Sequence, residues 1–402
     1  MGIIVQKFGG TSVADTEKLF KVCKHITKEF DKGNQVVVVV SAQGKTTDKL
    51  ISEEREITDI PDKREHDVLV ATGEQITIAK LAMCLKKLNY NAVSYMGWQV
   101  PIITDSVHGN ARIKSIDNTK ILKDLNNNNI VIIAGFQGID KNGNITTLGR
   151  GGSDTTAVAL AAILKADRCD IFTDVDGVFS SDPRKVENTI KIESITYDEM
   201  LELASSGAKV LHNRCVEIGK NFNIPIIVKS TFEDNSEGTI VKYRKDLEDL
   251  YISGIAKQDD IVRITLNGLE NNIEKVYQLF NLLAKIDISI DMITKSLDCK
   301  NLRDLSFSIS SENLNKTMNV LNENKKILGI KNINCSENLS KVSLIGVGIA
   351  NIPTVATKMI EALYENNINM HMISTSEIKI SILVDKNKSD IAMNAIHKKF
   401  IN

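Results

Sequence analysis

No apolar run in this sequence of 402 residues reaches the length of about 20 residues that a transmembrane helix needs. The first residues form a short β-type run without the basic segment that opens a signal peptide. The chain also lacks an excess of charge, because 50 lysines and arginines stand against 51 aspartates and glutamates. That balance argues against a protein that binds nucleic acid or a membrane surface, and we expect a cytoplasmic location.

Cysteine chemistry is equally sparse. The six cysteines lie far apart and form no Cys-x-x-Cys pair, so the sequence predicts neither a disulfide framework nor a zinc site. No spacing of His, Asp and Glu predicts another dedicated metal site, and no Ser-His-Asp or Cys-His combination points to a nucleophilic hydrolase. The composition, 42% hydrophobic and 25% charged residues, is typical of a soluble globular protein, and the length predicts two or three domains.

From the start to about residue 243, β-type runs alternate with helical patterns. The expected strands are residues 3–8, 36–40, 92–95, 130–137, 169–174 and 225–229. The expected helices are residues 13–31, 64–88 and 153–165, and residues 140–143 have the composition of a hairpin tip. This alternation indicates an α/β domain with a mostly parallel sheet sandwiched by helices.

The C-terminal part of the chain contains an internal repeat. Arg263-Ile-Thr-Leu-Asn-Gly268 resembles Lys341-Val-Ser-Leu-Ile-Gly346, and residues 283–293 resemble residues 363–373. Each copy predicts the order strand, helix, strand, strand, helix, strand of a ferredoxin-like unit. The predicted domains are residues 1–245, a first small module at 250–330 and a second at 331–402, with a strand around 251–256 as a candidate to pair with the second module.

Two glycine-rich segments each join a strand to a helix. Lys7-Phe-Gly-Gly-Thr-Ser12 presents backbone N–H groups, a helix N-terminus and the charge of Lys7 to an anion, although a tight turn with an exposed lysine would look the same. Thr147-Leu-Gly-Arg-Gly-Gly-Ser-Asp154 places three glycines around Arg150, whose guanidinium offers the planar fork that binds a carboxylate. A plain loop needs at most one of those glycines, so the second segment favours a binding function.

Other segments are less specific. Gly44-Lys-Thr46 lacks the upstream glycine of a P-loop, and Gly346-Val-Gly-Ile-Ala-Asn351 lacks the third glycine of a dinucleotide fingerprint. Thr173-Asp-Val-Asp-Gly-Val-Phe-Ser-Ser-Asp-Pro-Arg184 is either a surface hairpin or part of a site. Lys209 and His212 lie near the start of a later helix, where a lone histidine is more often structural than catalytic.

Together these segments resemble the aspartokinase family, which has the amino acid kinase fold followed by two ferredoxin-like ACT modules. The resemblance covers essentially the whole chain, in the order of the family. It is carried by Lys7-Phe-Gly-Gly-Thr-Ser-Val13, Val40-Ser-Ala-Gln-Gly-Lys-Thr-Thr-Asp48, Ala71-Thr-Gly-Glu-Gln75, Gly149-Arg-Gly-Gly-Ser-Asp154, Thr173-Asp-Val-Asp-Gly-Val-Phe179 with Asp182-Pro-Arg184, and Gly207-Ala-Lys-Val-Leu-His212.

The resemblance implies ATP-dependent phosphorylation of the β-carboxylate of L-aspartate to 4-phospho-L-aspartate, with Mg²⁺ held mainly by the phosphates of ATP. It implies that Lys7 and Asp154 are catalytic, that Arg150 binds the α-carboxylate of aspartate and that Glu74 binds its α-amino group. The residues implied for the phosphates and the nucleotide are Lys7, Gly9, Gly10, Ser41, Thr173, Asp174, Phe179, Arg184 and Lys209. Those implied for aspartate are Thr47, Glu74, Arg150 and Ser153.

The sequence departs from the family pattern at two positions. The family commonly has tyrosine at the position of Phe179, so a hydroxyl contact to the nucleotide is lost while stacking persists. It often has proline at the position of Asn213. Neither change touches the residues implied in phosphoryl transfer. A carboxylate nucleophile is already ionised near neutral pH, so the lack of a catalytic histidine agrees with this chemistry.

The resemblance also implies feedback control by an end-product amino acid bound between modules. Asp291 could bind a cationic tail, whereas its counterpart in the second copy is His371, so we favour lysine over threonine; a solvated acid at a strand end is the alternative. We expect a homodimer or a dimer of dimers joined through residues 250–402. The residues expected to bind the effector are Asn267, Gly268, Leu269, Asp291, Met292 and Thr294.

Three other functions stay open at this point. The first is a sister kinase acting on glutamate, acetylglutamate or a nucleotide, but such relatives generally lack the paired repeat. The second is a non-catalytic amino-acid sensor, against which the intact Lys7, Arg150, Asp154 and Lys209 argue. The third is a dehydrogenase with ACT modules, for which no dinucleotide fingerprint is intact.

Overall fold

The computed structural model describes residues 2–208, 210–233, 236–243, 251–270, 272–297, 302–349 and 352–401. The chain divides into two compact units. The first unit comprises Met1–Phe179, Lys191–Ser205 and Lys209–Asp246. The second comprises Ser180–Ile190, Ser206–Ala208 and Leu247–Asn402.

A large sheet of eight strands and a small sheet of four form the framework of the first unit. Its strands are β1 (Ile3–Phe8), β2 (Gln35–Val40), β3 (Ala92–Tyr95), β4 (Ile102–Thr104), β5 (Ile113–Ile116), β6 (Ile130–Ala134), β7 (Gln137–Asp140), β8 (Ile145–Thr147), β9 (Arg168–Thr173), β10 (Ser194–Ile195), β11 (Ile226–Ser230) and β12 (Thr239–Val241). The large sheet has the order β10-β12-β11-β9-β1-β2-β6-β3, and the small sheet β5-β4-β7-β8. Among the described pairs of the large sheet, β11 and β12 are antiparallel and the others parallel, which confirms the expected α/β fold.

Helices cover both faces of the large sheet. The helices of the first unit are α1 (Thr16–Asp31), α2 (Thr46–Ile57), α3 (Lys63–Val70), α4 (Thr72–Lys87), α5 (Thr119–Asn126), α6 (Gly152–Leu164), α7 (Tyr197–Ser205) and α8 (Asn213–Phe222). The five valines of β2 are fully buried. Val36, Val38 and Val40 share a core with α1 and α4, while α6 packs against β1, β2 and β9. A strand buried on both faces explains why its sequence is a continuous apolar run rather than an alternating one.

Two predicted elements are each divided in the structure. The strand expected over residues 130–137 splits into β6 and β7, which belong to different sheets, because Phe136 takes a positive φ of 69° and turns the chain. The helix expected over residues 64–88 is α3 followed directly by α4, with Ala71 between them. The hairpin tip at residues 140–143 is confirmed, since β7 and β8 pair antiparallel around it.

The helical run Lys63–Lys87 is long and apolar enough to cross a membrane by length and composition. More than half of it is buried inside the first unit. The core helices of soluble proteins have the same properties, so this run is weak evidence for a membrane span.

One six-stranded sheet covered by helices forms the second unit, in the order β14-β15-β13-β16-β18-β17. Its strands are β13 (Tyr251–Glu270), β14 (Ile293–Leu297), β15 (Leu302–Ser310), β16 (Asn332–Val347), β17 (Met370–Ser376) and β18 (Lys379–Asp385). Its helices are α9 (Ile273–Lys285), α10 (Leu314–Leu328), α11 (Pro353–Glu365) and α12 (Ser389–Phe400). The first repeat has the predicted element order, whereas the second ends at α12 without a final strand among the described residues.

The two repeats share their long strands. The N-terminal half of β13, residues 251–258, pairs with residues 341–347 of β16, whereas its C-terminal half pairs with β15 and with the start of β16. Each repeat still has its own apolar core, one built around Leu279 and Phe307 and the other around Met359 and Ile382. The sheet is therefore continuous while the cores are separate.

A segment from the middle of the chain also belongs to the second unit. In residues 180–190, Val186 is buried in the core of the second repeat. The carbonyl of Ser180 accepts a hydrogen bond from the N–H of Ile255 at 2.7 Å, and its hydroxyl lies 2.9 Å from Nε2 of His397 in α12. The Asp182-Pro-Arg184 motif thus lies in the second unit.

Candidate active site

The first glycine-rich segment lies at the carboxyl end of β1 in the middle of the large sheet. Lys7, the penultimate residue of the strand, is largely buried, and its Nζ lies 2.6 Å from Oδ1 of Asp154 in the first turn of α6. The fold therefore brings together the two residues implied as catalytic, which are far apart in sequence. A lysine held by a carboxylate at a helix N-terminus is placed to face an anionic ligand.

Gly9 and Gly10 follow Lys7 and lead into a 3-10 turn at Gly10–Val13. The N–H of Gly9 donates to the carbonyl of Phe172 at the end of β9 at 3.2 Å. A Cβ on Gly10 would lie 2.8 Å from the carbonyl oxygen of Ala42 and 3.1 Å from that of Gly44. The first glycine-rich segment therefore packs backbone to backbone against residues 41–44, which a side chain at position 10 would prevent.

Glu74, in the first turn of α4, has a half-satisfied carboxylate. Its Oε1 accepts a hydrogen bond from the N–H of Ala42 at 3.0 Å, but its buried Oε2 has no partner among the described residues. Burial raises the pKa of Glu74 to about 7. A buried acceptor without a donor fits a ligand that brings one, such as an ammonium group. Thr47 is half-buried in the first turn of α2, and Ser41 is half-buried just after β2.

The second glycine-rich segment turns the chain from β8 into α6. Gly149 and Gly151 have φ angles of +75° and +66°, which side chains rarely adopt. Arg150, between them, is exposed and has no side-chain partner among the residues that the structure describes. Ser153 is buried in α6, and its hydroxyl would be 2.7 Å from a Cβ on Gly135, so a glycine there lets it approach the end of β6.

The segment after β9 is divided between the two units. The hydroxyl of Thr173 donates to the carboxylate of Asp174 at 3.1 Å, and Phe179 is half-buried and bridges Lys191. Arg184 instead belongs to the second unit, where its exposed guanidinium makes two hydrogen bonds of 3.0 Å to Asp182. Lys209 lies outside the described residues.

Three residues near the site were not anticipated from the sequence. Phe136 has the positive φ that ends β6 beside Gly135, and the sequence carries no signal for it. Asp67 is fully buried and accepts hydrogen bonds from three residues, and Arg214 donates to two carbonyls of the same region. The sequence shows only that Asp67 is an acidic residue inside a helical pattern, and its hydrogen-bond partners lie far along the chain.

The residues expected to bind the effector are mostly engaged within the second unit. Asp291 forms an ion pair with the buried Lys341 of the second repeat. The N–H of Gly268 and the amide of Asn267 donate to the carboxylate of Asp304 at 3.0 and 2.9 Å. The remaining three differ in exposure: Leu269 and Met292 are buried in the unit, and Thr294 is exposed on β14.

Across the described residues, no group of three or more His, Cys, Asp or Glu side chains could hold a metal ion.

Two family models match the chain. The model of the amino acid kinase family matches residues 2–230, and that of the ACT domain matches residues 342–400. The first match covers the unit that holds Lys7 and Asp154, and the second lies in the second repeat.

The chain is similar to known enzymes over its full length. It is 50% identical to an aspartokinase of Bacillus sp. (strain MGA3), with 100% of this chain and 97% of that protein covered. The structure resembles E. coli aspartokinase III in complex with aspartate and ADP (R-state), with a TM-score of 0.84, 25% identity and complete coverage of both chains. It also resembles the same enzyme in complex with lysine and aspartate (T-state), with a TM-score of 0.77, 25% identity and complete coverage of both.

Proposed function

This chain belongs to the aspartokinase family and is an aspartate kinase, and we propose that Lys7 and Asp154 form its phosphoryl-transfer centre. The reaction is the transfer of the γ-phosphoryl group of ATP to the β-carboxylate of L-aspartate, giving 4-phospho-L-aspartate and ADP. The observation that carries the assignment is the 2.6 Å contact between Lys7 and Asp154 at the meeting point of the two glycine-rich segments.

The chemistry asks little of acid or base groups. An oxygen of the β-carboxylate forms a bond to the γ-phosphorus while the bond from that phosphorus to the β,γ-bridging oxygen breaks, and ADP leaves with the electron pair. No proton has to move, because the β-carboxylate is ionised near neutral pH. The site must position the two anions and offset the charge on the phosphoryl oxygens.

Lys7 supplies that charge in our proposal. Its ammonium acts on the moving phosphoryl group, and Asp154 fixes the direction of the ammonium. Gly9 and Gly10 bring the backbone of this turn close to the same oxygens, although the N–H of Gly9 is bound to the carbonyl of Phe172, and Ser41 lies after the neighbouring strand. When bound, Mg²⁺ carried by the phosphates of ATP adds further positive charge.

Aspartate is proposed to bind through both of its α-substituents. Arg150 takes the α-carboxylate and the free Oε2 of Glu74 takes the α-ammonium, with Thr47 and Ser153 as further contacts. This division by charge suits a zwitterion, since the exposed Arg150 receives an anion and the buried Glu74 receives a cation.

The nucleotide is proposed to lie beyond the ends of β9 and β11. Thr173, Asp174 and Phe179 would line its site in the first unit. The family resemblance adds Arg184 and Lys209 to the proposed nucleotide-binding residues. In this structure the guanidinium of Arg184 is bound to Asp182.

We also propose feedback inhibition by lysine through the ACT modules, in a cytoplasmic enzyme that is a homodimer or a dimer of dimers. E. coli aspartokinase III has been crystallised in complex with lysine and aspartate, in a structure similar to this chain. Asp291 is the proposed partner for the ammonium of the effector's side chain. Because Lys341 now occupies Asp291, lysine would replace one cation with another.

The test is a coupled assay of aspartyl-phosphate formation with purified protein and ATP. Lys7→Met should lower kcat by about 10²–10³-fold, because the lysine acts chiefly in the transition state. Lys21→Met, which changes an exposed lysine of α1 paired with Glu17, is the matched control and should leave kcat unchanged. A Lys7→Met enzyme that keeps most of its kcat would remove this lysine from the chemistry.

A further inference from the structure

The loop that carries Arg150 contains few interactions of its own that could fix its conformation. Its glycines allow many backbone conformations, and the exposed guanidinium has no partner among the described residues. The direction in which Arg150 points must therefore be set by whatever holds the backbone on either side of Gly149 and Gly151.

Asp67 holds the start of this loop from α3. Its fully buried carboxylate accepts hydrogen bonds from the N–H of Thr147 at 3.1 Å and from the hydroxyl of the same residue. It also accepts from the N–H of Gly109 at 3.0 Å and from Nδ1 of His108 at 2.8 Å. Thr147 is the last residue of β8, only three residues before Arg150, so one carboxylate anchors both this strand end and the loop at residues 107–110.

The loop at residues 107–110 lies directly against the arginine loop. A Cβ on Gly149 would be 3.0 Å from the carbonyl oxygen of Gly109 and 3.2 Å from Oδ1 of Asn110. The N–H of Ala111 also donates to the carbonyl of Thr147 at 2.8 Å. Holding one loop therefore holds the other.

Arg214, at the start of α8, also binds the same two segments. Its Nη1 donates to the carbonyl of Leu148 at 2.6 Å, and its Nη2 donates to that of Ala111 at 2.7 Å. Leu148 is two residues before Arg150. An anion thus accepts from the N–H and hydroxyl groups of this region while a cation donates to its carbonyls, and these charge-assisted bonds are stronger than neutral ones.

We propose that Asp67 and Arg214 are positioning residues for the acceptor aspartate: by fixing the two loops they aim Arg150 at the α-carboxylate, and neither touches substrate. The proposal rests on the proposed role of Arg150. It makes the affinity for aspartate, rather than for ATP, the quantity that these two residues control.

Steady-state kinetics of Asp67→Asn test it first. The substitution keeps the side chain's size but turns one acceptor oxygen into a donor amide facing other donors. We expect the aspartate KM to rise about tenfold or more, with the ATP KM and kcat nearly unchanged. Arg214→Lys, which keeps the charge but loses the two-carbonyl fork, should give the same pattern with a smaller rise. An equal rise in both KM values would overturn the proposal.

A double-mutant cycle separates positioning from an independent effect. If Asp67 acts through Arg150, adding Asp67→Asn to Arg150→Ala should change the aspartate KM by less than about twofold. If the two substitutions instead raised the aspartate KM independently, so that their factors multiplied in the double variant, the proposal would be overturned. If Arg150→Ala alone leaves the aspartate KM unchanged, the proposed role of Arg150 fails instead, so the two failures are distinct.

Two variants guard against a trivial loss of folding. Thr147→Val removes one hydroxyl donor to Asp67 without a change of charge and should raise the aspartate KM even if Asp67→Asn does not fold. Asp170→Asn is the matched control, because Asp170 is equally buried and pairs with Arg168 at 2.9 Å in β9. It should lower Tm and leave the aspartate KM unchanged. If Asp170→Asn raised the aspartate KM as much as Asp67→Asn does, the rise would reflect general destabilisation, and the proposal would be overturned.

Discussion

At the scale of single residues, the two charges proposed to hold aspartate can be removed one at a time. Arg150→Ala should raise the aspartate KM ten- to hundredfold, since a charge-assisted pair is worth about 1.5–3 kcal/mol, and should leave the ATP KM unchanged. Kinetics with each substrate varied in turn measure this. Arg55→Ala, on an exposed face of α2, is the control. Equal effects on both substrates would place Arg150 outside the aspartate pocket.

The other charge gives a pH dependence. Because burial raises the pKa of Glu74 to about 7, the carboxylate is largely protonated below that pH and cannot pair with the α-ammonium. The aspartate KM should therefore fall as pH rises from 6 to 8, and Glu74→Gln should have a high KM with no such trend. A wild-type KM that stays constant over this range would contradict the assignment.

Glu74 should also make the free energy of unfolding depend on pH. A folded-state pKa of about 7, against 4.5 for the free carboxyl, means that the folded protein holds more protons than the unfolded chain between those values. Stability should then decline with rising pH in this window, by roughly 3 kcal/mol for this one group. Glu74→Gln should lose that part of the decline, as measured by denaturant unfolding at pH 5 and pH 8.

At the scale of elements, the first glycine-rich segment depends on close backbone packing at one glycine and not at its neighbour. A Cβ on Gly10 would lie 2.8 Å from the backbone oxygen of Ala42, whereas one on Gly9 would have ordinary contacts at 3.6 and 3.7 Å. Gly10→Ala should therefore lower Tm by several degrees, while Gly9→Ala should keep it, although both lie beside the proposed phosphate site. Scanning calorimetry compares the two, and equal losses would contradict this account of the turn.

Element boundaries also mark the limit of what local sequence can predict. The runs that became β1, β2 and α6 were recognisable because each is mostly apolar, and because β1 ends before Gly9 and α6 begins at Gly152. The division of residues 130–137 into β6 and β7 was not, because it depends on Phe136 adopting a positive φ that the surrounding structure stabilises. The pairing of residues 251–258 with β16 likewise requires contacts across more than 80 residues of chain.

At the scale of the complete enzyme, the proposed regulation is a shift in population from a more active to a less active arrangement. Lysine favours the less active arrangement only to the extent that it binds that arrangement more tightly. The ion pair of Asp291 with Lys341 gives two variants with opposite expectations. Asp291→Ala should weaken inhibition by lysine at least about tenfold. Lys341→Met, which removes the cation paired with Asp291, should lower the lysine concentration needed for half-maximal inhibition.

Inhibition curves with lysine, threonine and methionine added separately measure both variants. Size-exclusion chromatography with light scattering confirms that each keeps the oligomeric state of the wild type. Unchanged inhibition in Asp291→Ala, or a wild-type enzyme that responds to threonine alone, would show that lysine at Asp291 is the wrong assignment.

The fold class, the two repeats and the family can be read from the sequence alone, because they depend on local patterns. Periodicity comes from which face of an element is buried, and glycines and charges at the ends of strands are visible in short motifs such as Lys7–Ser12. The sequence was also sufficient to nominate Lys7, Glu74, Arg150 and Asp154 for the site.

Which of those residues meet, and what holds them in place, depends on contacts that exist only in the folded chain. The contact of Lys7 with Asp154, the free oxygen of Glu74, and the placement of Arg184 in the second unit each join parts of the chain that no local pattern relates. The hydrogen bonds that hold the loop of Arg150 also join distant parts of the chain. Asp67 and Arg214 reach it from different helices, so their role follows from burial and hydrogen-bond geometry, which sequence patterns do not carry.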